Sequence, residues 1–233
     1  MFLSILDPRR FQFKKLRLLL AWLGGILLLL NTHINDTSFR WGIPFIIVGE
    51  LIRIFASGYL EKKGRKLASS GPFAYVRNPL YIGNFFLGLG VVILSNNWIN
   101  TGIFILGFFI LYVGTVKKEE RVLQEEFGAA YTDYKNEVPR FFPRLTPYSK
   151  TSHEPFRWLS VLKHREYITI AGVTILIAGF YIFEELREGE RIVNFFKMQT
   201  AGVFIAVAVI VLIFEWIRKE IQKKEVRHLL AIL

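Results

Sequence analysis

Long apolar blocks separated by short charged segments dominate the chain. Crossing ~30 Å of hydrocarbon takes about 20 mostly apolar residues, and six stretches reach or approach that length, the first and fourth only with flanking residues. These stretches are Leu16–Leu30, Trp41–Leu60, Tyr81–Ile99, Ile103–Val116, Tyr167–Phe183 and Thr200–Trp216. Leucine, isoleucine, valine and phenylalanine dominate them without strand-like alternation, which indicates helices. The pattern predicts an all-α, polytopic membrane helix bundle with about six transmembrane helices and cytoplasmic cofactor-binding segments.

Composition alone supports this less strongly than the distribution does. The 233 residues are 52% hydrophobic, with a mean hydropathy of +0.36, only slightly above a typical soluble domain. The chain contains 0 cysteines, which excludes disulfides, thiolate chemistry and Cys-ligated metals. Residues Met1–Lys15 lack a small-residue cleavage site, so we expect the first apolar stretch to be a retained helix.

The basic residues predict the orientation in the membrane. Of the 30 Lys and Arg residues, only Arg40, Arg187, Arg191 and Lys197 lie in the odd-numbered loops, and Arg53 lies inside a span. All the others lie on the opposite side, which the positive-inside rule assigns to the cytoplasm. The sequence therefore predicts a multi-pass integral membrane protein with both termini in the cytoplasm.

The formal net charge of +11 raises the question of nucleic-acid binding. The basic residues flank the predicted spans, where they would face anionic lipid headgroups. We therefore expect the lipid bilayer to be the partner and expect no nucleic acid and no metal.

Two units are expected along the chain. Residues 1–150 would form the core, with four spans, the cytoplasmic segment Glu61–Leu80 and most of a second cytoplasmic segment, Lys117–Glu166. Within the second segment, Glu119–Asn136 predicts an amphipathic helix, followed by helix-breaking prolines. Residues 151–233 would form a C-terminal linker and an additional two-helix membrane hairpin.

Two segments carry more chemistry than ordinary loops. In the first, residues 70–83, Gly71-Pro72 predicts a turn. Asn78-Pro79 suits a helix start, with Asn78 as the cap and Pro79 in the first position. The N–H groups of such a helix start favour an anionic or polar ligand group. The second segment holds the Glu119-Glu120 pair at the end of the fourth span.

Taken together, these motifs resemble a known family. They comprise Gly-Pro-Phe at 71–73, Arg-Asn-Pro-x-Tyr-x-Gly at 77–83, Glu-Glu at 119–120 and Phe-Gly-x-x-Tyr-x-x-Tyr at 127–134. This arrangement is similar to the isoprenylcysteine carboxyl methyltransferase and phospholipid methyltransferase superfamily. The resemblance covers about Arg53–Pro143 and is specific for the superfamily rather than for one substrate.

The resemblance implies a methyltransferase that binds S-adenosyl-L-methionine and a lipophilic acceptor. The implied cofactor-binding residues are Leu67, Ala68, Gly71, Phe73, Asn78, Pro79, Leu80, Tyr81, Glu119 and Glu120. Carboxylates suit the ribose hydroxyls or the ammonium group of the donor, and aromatic rings suit its sulfonium cation. Arg77 and Glu119 are the candidate catalytic residues: Arg77 would pair with a carboxylate of the donor or of the acceptor, and Glu119 or Glu120 could act as a base.

Three features of the sequence bear on the acceptor. Asn78 stands where the family often has histidine, and Thr115 stands where isoprenylcysteine enzymes have a substrate-binding arginine. No histidine lies near the motifs, and a carboxylate, already ionised at neutral pH, needs no general base. The two departures from the family pattern bear against isoprenylcysteine as the substrate more than against the cofactor. The absence of a nearby histidine mildly favours a carboxylate acceptor without identifying it.

Glu50 and Arg53 are charged residues inside the second predicted span, at helical i, i+3 spacing. Charges within a membrane are costly and are usually paired or functional. Mutual pairing and contact with the active site both stay open, and we name both residues as candidate substrate-binding residues.

The leading hypothesis is an integral membrane methyltransferase that acts on a lipid or lipidated carboxylate. The alternatives are a phospholipid amine N-methyltransferase, an NADPH-dependent sterol-type reductase of similar fold, and a non-catalytic protein of the same fold. The Glu119-Glu120 pair favours the methyl donor over NADPH, because carboxylates would repel the 2′-phosphate.

Overall fold

The computed structural model describes residues 24, 25, 28, 30–60, 66–188 and 195–232. In this part of the chain all regular structure is helical, as predicted. The helices are α1 (Asp36–Ser57), α2 (Pro79–Leu94), α3 (Trp98–Phe127), α4 (Ala129–Glu137), α5 (Trp158–His164), α6 (Glu166–Glu188) and α7 (Phe195–Ile232), with a 3-10 turn at Gly71–Ala74.

Several of these helices have the character of membrane spans. Among the described residues, three helical stretches are long and apolar enough to cross a bilayer: Trp98–Phe127, Glu166–Arg187 and Gln199–Glu220. Helix α2 is apolar but shorter, with 16 residues, and α1 contains the second predicted span except for its last three residues, since the helix ends at Ser57. The first predicted span, Leu16–Leu30, falls mostly on residues outside the described part. The apolar helices support an integral membrane protein.

The end of the fourth predicted span differs from expectation. The sequence predicts a separate amphipathic helix beginning at Glu119, but α3 runs unbroken for 30 residues to Phe127. At 1.5 Å per residue α3 is about 45 Å long, well beyond a ~30 Å hydrocarbon layer. The break comes instead at Gly128, whose φ of 53° suits glycine and ends the helix. Glu119 and Glu120 therefore lie on a rigid continuation of the span.

Helices α1 and α2 pack with their backbones in close contact. A Cβ atom at Gly49 would lie 2.7 Å from the carbonyl oxygen of Gly83, and one at Gly90 would lie 2.7 Å from that of Gly42. Small residues permit this approach, as at many helix contacts in membranes. The close packing fixes the start of α2, and with it the motif at 77–83.

The C-terminal hairpin packs on this pair. Ile177 and Phe180 of α6 are buried in one apolar cluster with Ile46, Leu87 and Leu94. At one end of the bundle the turns meet, since the amide of His33 donates to the Ser95 carbonyl (3.0 Å) and Arg187 donates to the Thr32 carbonyl (2.7 Å). These turns are the loops predicted to lie outside the cell.

Candidate functional site

A second, smaller core lies at the opposite end of the bundle. Tyr131 and Tyr134 of α4 are buried there with Ala74, Val138 and Tyr148. The Tyr134 hydroxyl donates to the Phe73 carbonyl at 2.7 Å, and the Tyr148 amide donates to the Ala74 carbonyl at 2.9 Å. The 3-10 turn is thereby held against α4, and the two motifs of the sequence come together.

A cavity of about 240 Å³ opens beside this core, slightly smaller than the roughly 300–1,000 Å³ of typical small-molecule sites. Most of the residues predicted to bind a cofactor line it: Leu67, Ala68, Phe73, Asn78, Pro79, Leu80, Tyr81 and Glu119, together with Arg77. Leu60, Leu123, Tyr131 and Tyr134 also line it and were not named as site residues. The two tyrosines belong to the Phe-Gly-x-x-Tyr-x-x-Tyr motif, and this motif is the feature of the sequence that could have identified them as lining residues.

The neighbouring carboxylates Glu119 and Glu120 have different surroundings. Glu119 lines the cavity and accepts a hydrogen bond from the Tyr81 hydroxyl at 2.7 Å. Glu120 is buried outside the cavity lining and accepts two hydrogen bonds from Arg140, at 3.0 and 2.6 Å. Successive residues on a helix point about 100° apart, which explains the difference. Glu119 can contact a ligand, whereas Glu120 holds the segment after α4 against α3.

Arg77 is fixed in the cavity wall with a spare donor. Its side chain is only 9% exposed, and Nη1 lies 3.3 Å from the Glu120 carboxylate. Its backbone amide donates to the Pro139 carbonyl at 2.9 Å. Nη1 is in ion-pair contact with Glu120, and the Tyr131 hydroxyl interacts with the same guanidinium, whereas Nε of Arg77 has no hydrogen-bond partner among the described residues. A buried donor without a partner is costly, so Nε indicates a place for a ligand that accepts a hydrogen bond.

The tyrosines beside the cavity are neutral donors at physiological pH. Burial raises the pKa of Tyr131 above its usual range, and the negative charge of Glu120 raises it further while Arg77 opposes both effects. Burial is also the main reason that the pKa of Tyr134 is raised. Both phenols therefore keep their protons, and Tyr131 can donate to an anionic or polar ligand.

Asn78 and Gly71 contribute in ways that differ from expectation. Asn78 occupies the cap position of α2, but its side chain does not cap the helix; its Nδ2 donates to the Arg140 carbonyl at 3.2 Å. Gly71 does not line the cavity. Its φ is +57°, and a Cβ atom there would lie 2.4 Å from the Tyr59 ring, so only glycine fits. Both residues shape the loop before α2.

A C-terminal segment braces the same loop from behind. The Thr151 hydroxyl donates to the Ser69 carbonyl at 2.7 Å, and the Glu154 amide donates to the Ser70 hydroxyl at 2.9 Å. The hydroxyls of Ser70 and Ser152 lie 2.7 Å apart. The loop that supplies Leu67 and Ala68 to the cavity is therefore held by residues distant in sequence.

Glu50 and Arg53 do not line this cavity, and they do not form the ion pair that their spacing allowed. Arg53 instead pairs with Glu166 at the start of α6, at 2.6 Å, and also donates to Asn84 and Thr169. Both carboxylate oxygens of Glu50 are buried and have no hydrogen-bond partner among the described residues. A role for these two residues in substrate binding stays a prediction.

A second cavity of about 360 Å³ lies between α2 and α3. Its lining residues are mainly apolar and aromatic: Asn84, Gly88, Ile103, Phe104, Gly107, Phe108, Leu111 and Tyr112. The Tyr112 ring contacts the ring of Tyr81, with centroids 5.0 Å apart, and Tyr81 lines the first cavity. The two cavities are thus neighbours across one pair of tyrosines.

Comparisons with known proteins agree with the motifs. Residues 19–130 match the family model described as phospholipid methyltransferase. The chain is 26% identical over 167 residues to the cobalt-zinc-cadmium resistance protein CzcN of Cupriavidus metallidurans, covering 71% of this chain and 72% of that protein. It is 30% identical over 123 residues to the nickel-cobalt-cadmium resistance protein NccN of Alcaligenes xylosoxydans xylosoxydans, covering 52% of this chain and 57% of that protein.

A third relative is an enzyme. The chain is 35% identical over 85 residues to the protein-S-isoprenylcysteine O-methyltransferase of Schizosaccharomyces pombe, covering 36% of each protein. No solved structure matches the chain. The matches confirm the resemblance to the isoprenylcysteine carboxyl methyltransferase and phospholipid methyltransferase superfamily, and with the apolar helices they support a membrane methyltransferase.

Proposed function

We propose that this chain, which resembles the isoprenylcysteine carboxyl methyltransferase and phospholipid methyltransferase superfamily, is an integral membrane enzyme that uses S-adenosylmethionine. It would transfer the methyl group to a lipid or lipidated acceptor, and we propose a carboxylate as the accepting group. The 240 Å³ cavity between the 3-10 turn, α2, α3 and α4 would be the cofactor site.

The single observation that carries the proposal is the charge pattern of this cavity. Arg77 brings a guanidinium whose Nε has no hydrogen-bond partner among the described residues, and Glu119 brings a carboxylate to the same lining. The amino-acid end of S-adenosylmethionine carries one carboxylate and one ammonium group. Charge-assisted hydrogen bonds to both groups would satisfy the two residues at once, which a purely anionic cofactor would not do.

The remaining lining suits the other parts of the donor. Leu67, Leu80 and Phe73 offer apolar contact to a flat ring, and the faces of Tyr81 and Tyr131 suit a cation. When bound, the cofactor supplies a methyl group activated by its sulfonium charge. The protein would orient that group and keep water away from it.

Methyl transfer to a carboxylate acceptor requires no proton transfer. One of its oxygens forms the new O–C bond while the C–S bond breaks, and the electron pair of that bond stays on sulfur. No histidine lines either cavity, and a carboxylate needs none. A phospholipid amine is the second candidate, favoured by the matched family description; Glu119 would then accept the proton lost by the amine.

The cavity between α2 and α3 suits the lipophilic part of the acceptor. Its aromatic and aliphatic lining would bury a hydrocarbon chain at about 25 cal/mol per Å² of apolar surface. The contact between Tyr81 and Tyr112 would place the polar end of such a chain beside the cofactor.

Binding and transfer assays test the proposal directly. Calorimetric titration of the full chain in lipid nanodiscs should detect S-adenosylhomocysteine and should detect no NADPH. With labelled S-adenosylmethionine, label should appear on amino-blocked S-farnesylcysteine rather than on phosphatidylethanolamine. Label on phosphatidylethanolamine alone would show that the acceptor is an amine and not a carboxylate. Binding of NADPH without binding of S-adenosylhomocysteine would overturn the proposal.

We further propose six spans with both termini in the cytoplasm, with residues 1–150 as the core and 151–233 as an appended unit. Because the chain has 0 cysteines, single cysteines report sidedness cleanly. The exposed positions Ser149 and Trp98 lie near opposite ends of the bundle. Ser149→Cys should react with an impermeant maleimide only from the cytoplasmic side and Trp98→Cys only from outside. Labelling of both from one side would overturn the topology.

A further inference from the structure

A buried polar cluster joins α1, α2 and α6 beside the cavity between α2 and α3. The Arg53 guanidinium donates to Oδ1 of Asn84, to Oε2 of Glu166 at 2.6 Å and to Oγ1 of Thr169 at 3.2 Å. Of these residues, Asn84 also lines the α2–α3 cavity. The cluster therefore connects the C-terminal hairpin to the wall of that cavity.

The chemistry of arginine determines which way the Asn84 amide faces. A guanidinium can only donate hydrogen bonds, so the amide must present its oxygen to Arg53. Its Nδ2 group is then left to donate elsewhere, and it makes no hydrogen bond within the described part of the chain. The lining of a largely apolar cavity thus includes one oriented N–H donor.

We propose that Asn84 binds the polar head of the acceptor through Nδ2 and that Arg53 is a positioning residue that holds the amide in this orientation. The inference rests on the proposed function and adds a residue that recognises a carboxylate. Asn84 follows Tyr81 by three positions on α2, so the two side chains are neighbours one turn apart, with Cβ atoms about 5–6 Å apart. Tyr81 lines the cofactor cavity, so a carboxylate on Asn84 would lie next to the methyl donor.

Glu166 gives the C-terminal hairpin a part in this recognition. It is buried, at 4% exposure, and lies beyond the residues 19–130 that match the family model. Its carboxylate offsets the charge of Arg53, so the acceptor would be bound by a neutral amide rather than by an arginine. Glu166 is therefore a second positioning residue, acting through Arg53.

The substitution Asn84→Asp separates recognition from packing. Aspartate is nearly isosteric, and its carboxylate accepts from Arg53 at least as well, but it offers no N–H donor and would repel an acceptor carboxylate. A hydrogen bond to a charged group is worth roughly tenfold to a hundredfold in affinity. We expect the KM for amino-blocked S-farnesylcysteine to rise at least about tenfold, with S-adenosylhomocysteine affinity and thermal stability unchanged.

Two further variants test whether the change in KM results from loss of the Asn84 N–H donor. Thr174→Val makes a comparable change on α6 at a hydroxyl that donates to the Ala171 carbonyl at 2.9 Å rather than accepting from Arg53, and should leave the KM within about twofold of wild type. Asn84→Ser keeps an acceptor for Arg53 on a shorter side chain and should also raise the KM. It serves as the test if Asn84→Asp proves unstable. A wild-type KM in Asn84→Asp, alongside an active wild-type enzyme, overturns the role of Asn84 alone. A wild-type protein that binds no S-adenosylhomocysteine overturns the proposed function and this inference together.

The role of Glu166 has its own comparison. Glu166→Gln should raise the KM for the same acceptor more than it lowers kcat, because it loosens Arg53 without reaching the cofactor. Glu215→Gln is the matched control, since this buried carboxylate pairs with Arg165 and Arg218 within the C-terminal unit and makes no contact with Arg53. Equal changes in KM in both variants would reduce Glu166 to a purely structural residue.

Discussion

The two ends of the helical bundle satisfy their polar groups in different ways. At the end predicted to face outward, local caps such as the Asn35–Ser38 capping box at the start of α1 combine with hydrogen bonds that join one turn directly to another. The His33 amide donates to the Ser95 carbonyl, and Arg187 donates to the Thr32 carbonyl. At the cavity end, the long-range hydrogen bonds join elements that surround the 240 Å³ cavity. Tyr81 reaches Glu119 across 38 positions, and Tyr134 reaches Phe73 across 61.

This difference distinguishes the turns at one end, which have a structural role, from the candidate binding site at the other end. A helix cap needs only a few neighbouring residues, and the hydrogen bonds between turns hold those turns directly against one another. Long-range pairs hold separate segments at fixed distances, so a cavity can persist between them with an unsatisfied donor in its wall. Changes at the cavity end should therefore affect ligand binding, whereas changes at the other end should affect stability alone.

The largest effect is expected for Glu120→Gln. Glu120 is a buried carboxylate that accepts from Arg140 and lies 3.3 Å from Arg77, and removing one charge of a buried pair costs about 3–5 kcal/mol. We expect lower thermal stability in nanodiscs and loss of S-adenosylhomocysteine binding together. Glu125→Gln, exposed on the same helix, is the control and should change neither property. Intact binding in the Glu120 variant would show that the paired arginines do not hold the cavity.

Arg77→Lys should affect binding and turnover without unfolding. Lysine can keep the ion pair with Glu120 but replaces the planar set of donors with a point charge. The loss of a charge-assisted contact worth roughly 1.5–3 kcal/mol predicts methyl transfer lowered at least about tenfold. If cofactor affinity, measured in the same variant, falls with turnover, Arg77 contacts the donor; if it is unchanged, Arg77 contacts the acceptor. The exposed Arg121→Lys is the control, and normal turnover in Arg77→Lys would leave Arg77 a purely structural role.

Glu119→Gln should give a smaller and purely local effect. Glu119 is exposed at the cavity mouth and keeps one hydrogen bond, from Tyr81, so solvent reduces the value of its charge. We expect S-adenosylhomocysteine affinity to fall about fivefold, with unchanged thermal stability. Tyr81→Phe keeps the carboxylate and should lower affinity less. A variant that binds as wild type does would remove Glu119 from the cofactor site.

The smallest effect on ligand binding is expected at the opposite end. Asn97→Ala removes the cap of α3 and its hydrogen bond to the Asn31 carbonyl, which should cost about 0.5–2 kcal/mol of stability. Affinity for S-adenosylhomocysteine should not change. Weakened binding in this variant would contradict the separation between the two ends and would indicate that stability at one end is transmitted to the other.

The sequence by itself predicted the helices and the segments that meet at the cavity. Apolar length and composition locate helices because backbone hydrogen bonds are local and a membrane leaves no alternative. The motifs at 70–83 and 119–134 indicated which segments carry chemistry. Most of the residues predicted to bind a cofactor line one cavity, although their role in binding stays a prediction.

Only the tertiary structure decided which side chain of a motif does what. Glu119 and Glu120 are identical in composition and adjacent in sequence, yet one lines the cavity and the other is buried between arginines. Likewise, Arg53 had a carboxylate three positions away but pairs with Glu166, 113 positions along the chain. Helix periodicity determines how side chains are spaced around the helix axis. Which face meets which neighbour depends on how all the helices pack. That packing involves residues too far apart in sequence for a local pattern to specify.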